Sequence, residues 1–294
     1  MRSVWSFWTK PFSVERRTSW ASELHHWIAW GLSVETARRH YPHTCLVTDD
    51  EGARILIDEL QLPFTSVTVC LNRLRDADPE WWALGKLEAY RRQREPFVHV
   101  DTDVFLWNAL PAHVAAAPVF AQNPEPIPPG ESCYRPQELE YAVTSIGWLP
   151  PEWRWYRKQT AGQRAECCGI FGGCDTGFIQ KYCAQALRLA QDPRNRGLAK
   201  LRGRIGHMIL LEQYLLSACL EYHGVRIEYL FESMADAYQP GRAVELGYTH
   251  LAAGAKRNPR IARELERRVA LDLPNYYERC LRYMSRQPLF SVIA

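Results

Sequence analysis

The sequence predicts an α/β protein: a mostly parallel sheet flanked by helices, with a helical C-terminal extension. Three observations carry this prediction. Short β-branched and aromatic runs alternate with segments of helical periodicity through the first half of the chain. The connections between them are short, which favours a parallel sheet with helices on both faces. Residues 96–107 read PFVHVDTDVFLW, and Val98, Val100, Val104, Phe105 and Leu106 suit a strand buried on both sides.

The elements follow in order. Val4 to Trp8 is a short β-type run, and residues 20–40 place Trp20, Leu24, Trp27, Ile28 and Leu32 at helical spacing. HTCLVT (43–48) reads as a second strand. Asp49 and Asp50 then stand where a helix N-cap is needed, with catalysis the lesser alternative. SVTVCL (66–71) is a third strand, and Glu80 to Gln93 a helix with Trp81, Leu84, Leu87 and Tyr90 along one stripe. Residues 118–136 hold Pro118, Pro124, Pro126, Pro128, Pro129 and Pro136 and read as a loop. WLPPEWRWYRK (148–158) mixes aromatic and basic residues and reads as an exposed loop that could grip an acceptor. ECCGIFGGCDTGF (166–178) reads as a Gly-rich turn region leading into a helix. Ile205 to Tyr222 is a strongly apolar helix stopped by Gly224, with VRIEYLF (225–231) as a strand beyond it. Residues 256–286 are basic and helical, with Arg260/Glu264 and Glu264/Arg268 at i,i+4 spacing, and read as a solvated helix. This divides the chain into a main domain, 1–256, and a helical extension, 257–294, packed on it.

Composition narrows the function classes. The 294 residues carry a net charge of +3, too little to argue for nucleic acid. No apolar run reaches the length of a membrane span, although peripheral membrane contact by the basic C-terminal part stays open. The opening MRSVWSFWTKPF has neither a long apolar core nor a small-residue cleavage site, so no signal peptide is expected. Nine cysteines lack a framework spacing, and Cys167, Cys168, Cys174 and Cys183 cluster without a C-x-x-C pair. Free thiols in a cytoplasmic protein are the expectation.

The chemistry concentrates at Asp101 and Asp103. Period two along a strand would put both carboxylates on one face, where desolvated like charges repel and call for a counter-charge. A divalent cation with oxygen ligands supplies it. The alternative is a strand that ends at His99, with Asp101 starting a turn. Four further features flank this stretch in a telling order. Lys86 lies on the helix before the strand, CGIFGG (168–173) follows, then Glu212 and Gln213 in LEQYLL, then His250 and Lys256 in YTHLAAGAK.

With these residues the chain resembles glycosyltransferases of the GT-A fold, in particular the retaining family that contains glycogenin and bacterial lipopolysaccharide galactosyltransferases. It also resembles an uncharacterised bacterial glycosyltransferase-like domain family with the words DTDVFLW and GIFGG. The resemblance covers roughly residues 80–256. It implies a GT-A-like fold and transfer of a sugar from a nucleotide-diphosphate sugar, a UDP-sugar first among them. It implies a divalent cation, manganese first and magnesium second, held by Asp101, Asp103 and His250. Lys86, Asp101, Gly169, Gly172, Gly173 and Lys256 would contact the donor, the glycines by letting backbone approach the sugar. Glu212 and Gln213 would face the reacting sugar or the acceptor, or else stand at the solvent edge of their helix. The acceptor could be a glycan, a lipid-linked sugar, a peptide or a small molecule. The chain departs from the resembled pattern at Cys168, where Asn is usual, and at Glu212, where Asp is usual. The glycine between His250 and Lys256 is shifted by one, and no Pro-Trp follows Lys256, so retention or inversion stays open.

Other readings compete. A haloacid-dehalogenase-type phosphatase also places D-x-D after an apolar strand, and Val104 suits it. That class needs a downstream acidic pair, whereas Asp175, Asp192, Asp236 and Asp272 stand alone. A nucleotidyltransferase would need a Gly-rich phosphate loop, which TKPFSVERR (9–17) lacks. A non-catalytic glycosyltransferase-like binding or scaffold protein would keep the site without turnover.

Overall fold

The computed structural model describes residues 1–16, 19–127, 134–143, 146–159, 162–201 and 204–287. Its core is a seven-stranded mixed sheet in the order β3-β2-β1-β4-β7-β6-β8. The strands are β1 (Arg2–Phe7), β2 (Thr44–Thr48), β3 (Ser66–Val69), β4 (Phe97–Val100), β6 (Val119–Pro126), β7 (Arg164–Gly173) and β8 (Ile227–Tyr229), with β5 (Val104–Leu106) lying outside this sheet. Pairs β1–β2, β2–β3, β1–β4 and β6–β8 are parallel, while β7 pairs antiparallel with both β4 and β6. One strand, β7, therefore runs against the other six. The expected α/β class with a mostly parallel sheet, flanking helices and a helical C-terminal part is observed.

Alternation along β1 and β4 builds two cores. Val4 and Phe97 face one layer with Leu84, Leu87, Tyr90 and Tyr182. Trp5 and Val98 face the other with Trp27, Ile28 and Trp30. Helix Glu23–Arg38 covers the second face and buries Trp27 and Ile28 completely. Asp49 caps the next helix, accepting Gly52 N at 2.8 Å, so the capping reading holds.

Several expectations need correction. The stretch 96–107 is not one strand. β4 stops at Val100, Asp101 to Asp103 form a turn closed by Val104 N to Asp101 O at 3.0 Å, and β5 pairs with β9 (Tyr248–His250) in a separate two-stranded sheet. The turn alternative was thus the nearer one, displaced by one residue. Part of the Pro-rich segment, Val119–Pro126, is β6, because its prolines fall at the strand's far end; Pro128 and Pro129 lie outside the described residues. Residues 151–156 of the aromatic-basic segment are a helix started by Pro151 that buries Trp153 completely. The C-terminal part is two helices, Pro259–Asp272 and Pro274–Arg286, solvated on one face only. Ala262, Leu265, Val269, Tyr276, Cys280 and Tyr283 are buried on the other. Tyr276 Oη donates to Trp27 O at 2.7 Å, so these helices share the core behind β1.

The words CGIFGG sit in a long strand rather than a turn. Gly172 and Gly173 pair with Val98 and Phe97, at the amino end of β4 and away from its carboxyl end. A Cβ at Gly172 would stand 1.9 Å from Phe97 O; one at Gly173 would stand 2.1 Å from Pro118 O, and φ there is +148°. Both glycines serve strand packing, so the expectation that they approach a bound sugar is withdrawn. Gly173→Ala should lower unfolding stability by at least about 1–3 kcal/mol from backbone strain alone. Urea unfolding would measure it, and a loss below a few tenths would mean β6 and β7 can move apart freely.

Candidate functional site

Strands β1 and β4 end at one cleft of about 460 Å³, beside the amino half of the opposed β7. Crevices at the carboxyl ends of parallel strands are the usual ligand sites of open α/β sheets. The turn after β4 contributes Asp101, Thr102 and Asp103. The β5–β9 pair and the following turn contribute His250 and Lys256. Lys86, Gly169 and Gln213 complete the set, so seven of the ten residues singled out in the sequence line this one cleft. Glu212 lies directly behind it. Gly172 and Gly173 do not reach it.

Two ion-pair clusters organise the charge. Lys86 Nζ stands 3.0 Å from Asp101 Oδ1 and 2.7 Å from Glu212 Oε1, and donates to Cys168 O at 3.3 Å. Burial alone would lower the Lys86 ammonium, but Asp101 and Glu212 outweigh it and hold the group well above its ordinary value. Burial pushes the Asp101 carboxyl up to about 6, with Lys86 pulling the other way and Asp103 adding repulsion. In the second cluster Lys256 Nζ stands 2.5 Å from Asp103 Oδ2, and His250 Nε2 stands 3.6 Å from the same oxygen. Burial would raise Asp103, yet Lys256 and His250 hold it far below the usual carboxylate range. The two aspartates therefore face the cleft in different electrostatic settings.

Glu212 is fully buried, on a π-helical turn Leu210–Tyr214 inside the predicted helix. Tyr90 Oη donates to its Oε1 at 2.9 Å, while Oε2 has no hydrogen-bond partner among the described residues. The solvent-edge alternative for Glu212 is overturned: it is a buried counter-charge for Lys86. Gln213 does open on the cleft, where its side-chain amide and the Glu125 carboxylate both lie within hydrogen-bond reach of Tyr134 Oη, whose single proton serves one of them at a time. At the other end Trp8, Phe12, Trp20, His26 and Trp30 form an aromatic wall. His26 stacks on Phe12 at 4.4 Å, and burial, reinforced by Lys256, lowers its imidazole to about 3, so it is neutral.

Gly169 lines the cleft for a reason other than the one expected. A Cβ there would stand 2.5 Å from Gln122 Oε1 and 2.7 Å from His250 Nδ1. The missing side chain makes room for that pair. Gln122, buried in β6, accepts from His250 Nδ1 at 2.7 Å and from Tyr248 Oη at 2.6 Å. Sequence reasoning missed Gln122 because its segment was read as loop; the signal available was a Gln-Asn pair inside the apolar run VFAQN. None of the aromatic-basic segment 148–158 lines the cleft, so its reading as an acceptor grip is withdrawn. Trp155 instead packs edge-on against Tyr222 at 5.7 Å.

Among the described residues, no three carboxylate, histidine or cysteine groups stand together as a ready cation site. The donor set is nonetheless suited to one. Two carboxylates and an imidazole Nε2 meet at the cleft, and the imidazole's other nitrogen is tied to a polar partner, the arrangement typical of metal-ligating histidines. Lys86 pairs with Asp101 and Lys256 with Asp103. No described helix is long and apolar enough to cross a membrane.

Comparison with curated proteins gives no match. The profile of the family described as Family of unknown function (DUF6734) matches residues 1–283, nearly the whole chain, and the protein belongs to that family.

Proposed function

We propose that the protein is a metal-dependent glycosyltransferase of the GT-A type, taking a sugar from a nucleotide-diphosphate sugar, a UDP-sugar first among them. The observation that carries this reading is the convergence of Lys86, Asp101, Asp103, Gly169, Gln213, His250 and Lys256 on one cleft at the carboxyl end of β4. These residues are spread over the chain, and the tertiary fold brings them together from a helix, the main sheet, a π-helical turn and the β5–β9 pair. Asp101, Asp103 and His250 would hold a divalent cation, manganese or magnesium, as two oxygen ligands and one nitrogen ligand. When bound, such a cation neutralises the charge that builds on a departing diphosphate. Lys256, now paired with Asp103, would be freed by the cation to meet phosphate as a point charge. Lys86, anchored below by Glu212, keeps positive charge beside Asp101 whatever the cleft contains. The aromatic wall offers faces for a nucleobase, and the Glu125–Tyr134–Gln213 array offers hydrogen bonds to sugar hydroxyls.

A second reading rests on a specific observation. Both aspartates are already paired with lysines, so the site is electrostatically complete without a cation. A binding or scaffold protein that holds a nucleotide without transferring sugar would look like this.

Calorimetric titration with UDP, GDP, CDP and TDP, each with manganese, magnesium or chelator, tests the proposal. Micromolar binding of one nucleotide that chelator abolishes is the expected result. Binding that survives chelator, with no hydrolysis of the corresponding nucleotide sugar, favours the scaffold reading. No binding by a folded chain would overturn the proposal and return attention to a phosphatase with Asp101 as nucleophile.

A further inference from the structure

We propose that the bulged segment Gln122–Asn123–Pro124 is a positioning relay that requires a proton on His250 Nδ1 and so leaves Nε2 as the nitrogen turned toward Asp103. The argument starts from backbone chemistry. A carbonyl oxygen can only accept, so Pro124 O, 3.1 Å from the Asn123 amide, must face its NH2 group. Asn123 Oδ1 is then turned to Gln122, which must present its own NH2 at 3.0 Å. That leaves Gln122 Oε1 as the atom facing His250 Nδ1 at 2.7 Å and Tyr248 Oη at 2.6 Å. An oxygen that only accepts requires a proton on Nδ1. The other ring nitrogen, Nε2, is the one that faces Asp103 Oδ2, at 3.6 Å.

Backbone geometry makes the relay feasible. Adjacent side chains on a regular strand point to opposite faces and do not bond to each other. The pairing of β6 with β7 shifts register between Ala121 and Asn123, a bulge that brings the Gln122 and Asn123 side chains together. Gln122 and Asn123 are both buried, so water does not scramble the order of donors and acceptors. Gly169 leaves the space the ring and amide need.

The consequence for cation binding rests on the glycosyltransferase reading; the tautomer does not. The experiment therefore reads them separately. Ring-nitrogen NMR shifts of 15N-histidine protein would be recorded without metal at about pH 8.5, above the ordinary histidine range. His250 would be assigned by its loss in His250→Ala. The expected wild-type signal is the Nδ1–H tautomer. Gln122→Leu should give a tautomer mixture and about 10- to 100-fold weaker manganese binding. Gln122→Glu keeps an acceptor toward His250 and loses the donor toward Asn123, so it should retain the proton on Nδ1. An Nε2–H ring in the wild-type chain overturns the proposal, as does an unchanged tautomer in folded Gln122→Leu. Because the tautomer is read without metal, wild-type protein that fails to bind manganese would count against the cation site, and the ring shifts alone would decide the relay.

Discussion

Asp103→Asn should reduce manganese affinity by at least about 100-fold, the upper end of what losing even an outer-shell partner costs. Asp103 is 5% exposed and sits at the meeting point of Lys256, His250 and the cleft. Its backbone oxygen accepts Leu251 N at 2.8 Å, which ties the turn to β9. Asn keeps the volume and that backbone bond, so the fold should survive. What is removed is the carboxylate that Lys256 and His250 hold far below its ordinary range. A paramagnetic-resonance titration of free manganese would measure the loss, with thermal unfolding as the check on the fold. Retained affinity in Asp103→Asn would remove Asp103 from the cation site and, with it, the proposed mechanism. His250→Ala should weaken manganese as well, and an unchanged affinity there would exclude His250.

Lys86→Met should destabilise the chain by about 3–5 kcal/mol, the cost of breaking a buried ion pair from one side. Glu212 is fully buried with one oxygen on Tyr90 and Lys86 and the other without a hydrogen-bond partner among the described residues. Without the ammonium, the Glu212 carboxylate would lose its lysine partner in the interior, and Asp101, part-exposed at the cleft, would lose the same partner. Met fills much of the lysine stem's volume, so packing loss contributes little. The double variant Lys86→Met/Glu212→Gln should recover part of the loss, because the two residues are in direct contact and their effects do not add. Urea unfolding of the set would measure this. A single-variant loss under about 1 kcal/mol would mean that the Lys86–Glu212 contact contributes little and that Lys86 serves Asp101 alone.

Much of the frame was legible because it is local. Alternation and β-branching marked β1, β2 and β3, the Asp49 cap marked a helix start, and apolar spacing marked Glu23–Arg38 and the segment around Glu212. The errors share a cause. PFVHVDTDVFLW is apolar enough to read as one strand, yet the chain turns at Asp101 because β5 finds its partner in β9, more than 140 residues on, as the Trp107–Thr249 bond across that pair shows. GIFGG has turn composition, yet it is strand because its glycines press against Phe97 and Pro118. Proline content hid β6, whose prolines cluster where pairing ends.

What the sequence determined by itself was the set of local elements and the chemical types gathered in order: Lys86, the two aspartates, Glu212 with Gln213, and His250 with Lys256. Tertiary structure alone decided how those types divide. It put Lys86 on Glu212 and Asp101, Lys256 on Asp103, and Gln122 on His250 across 128 residues. The physical reason is that periodicity reports which face of an element is buried. Which charge meets which across a sheet depends on strand order, on one reversed strand and on one bulge, and none of these leaves a local mark.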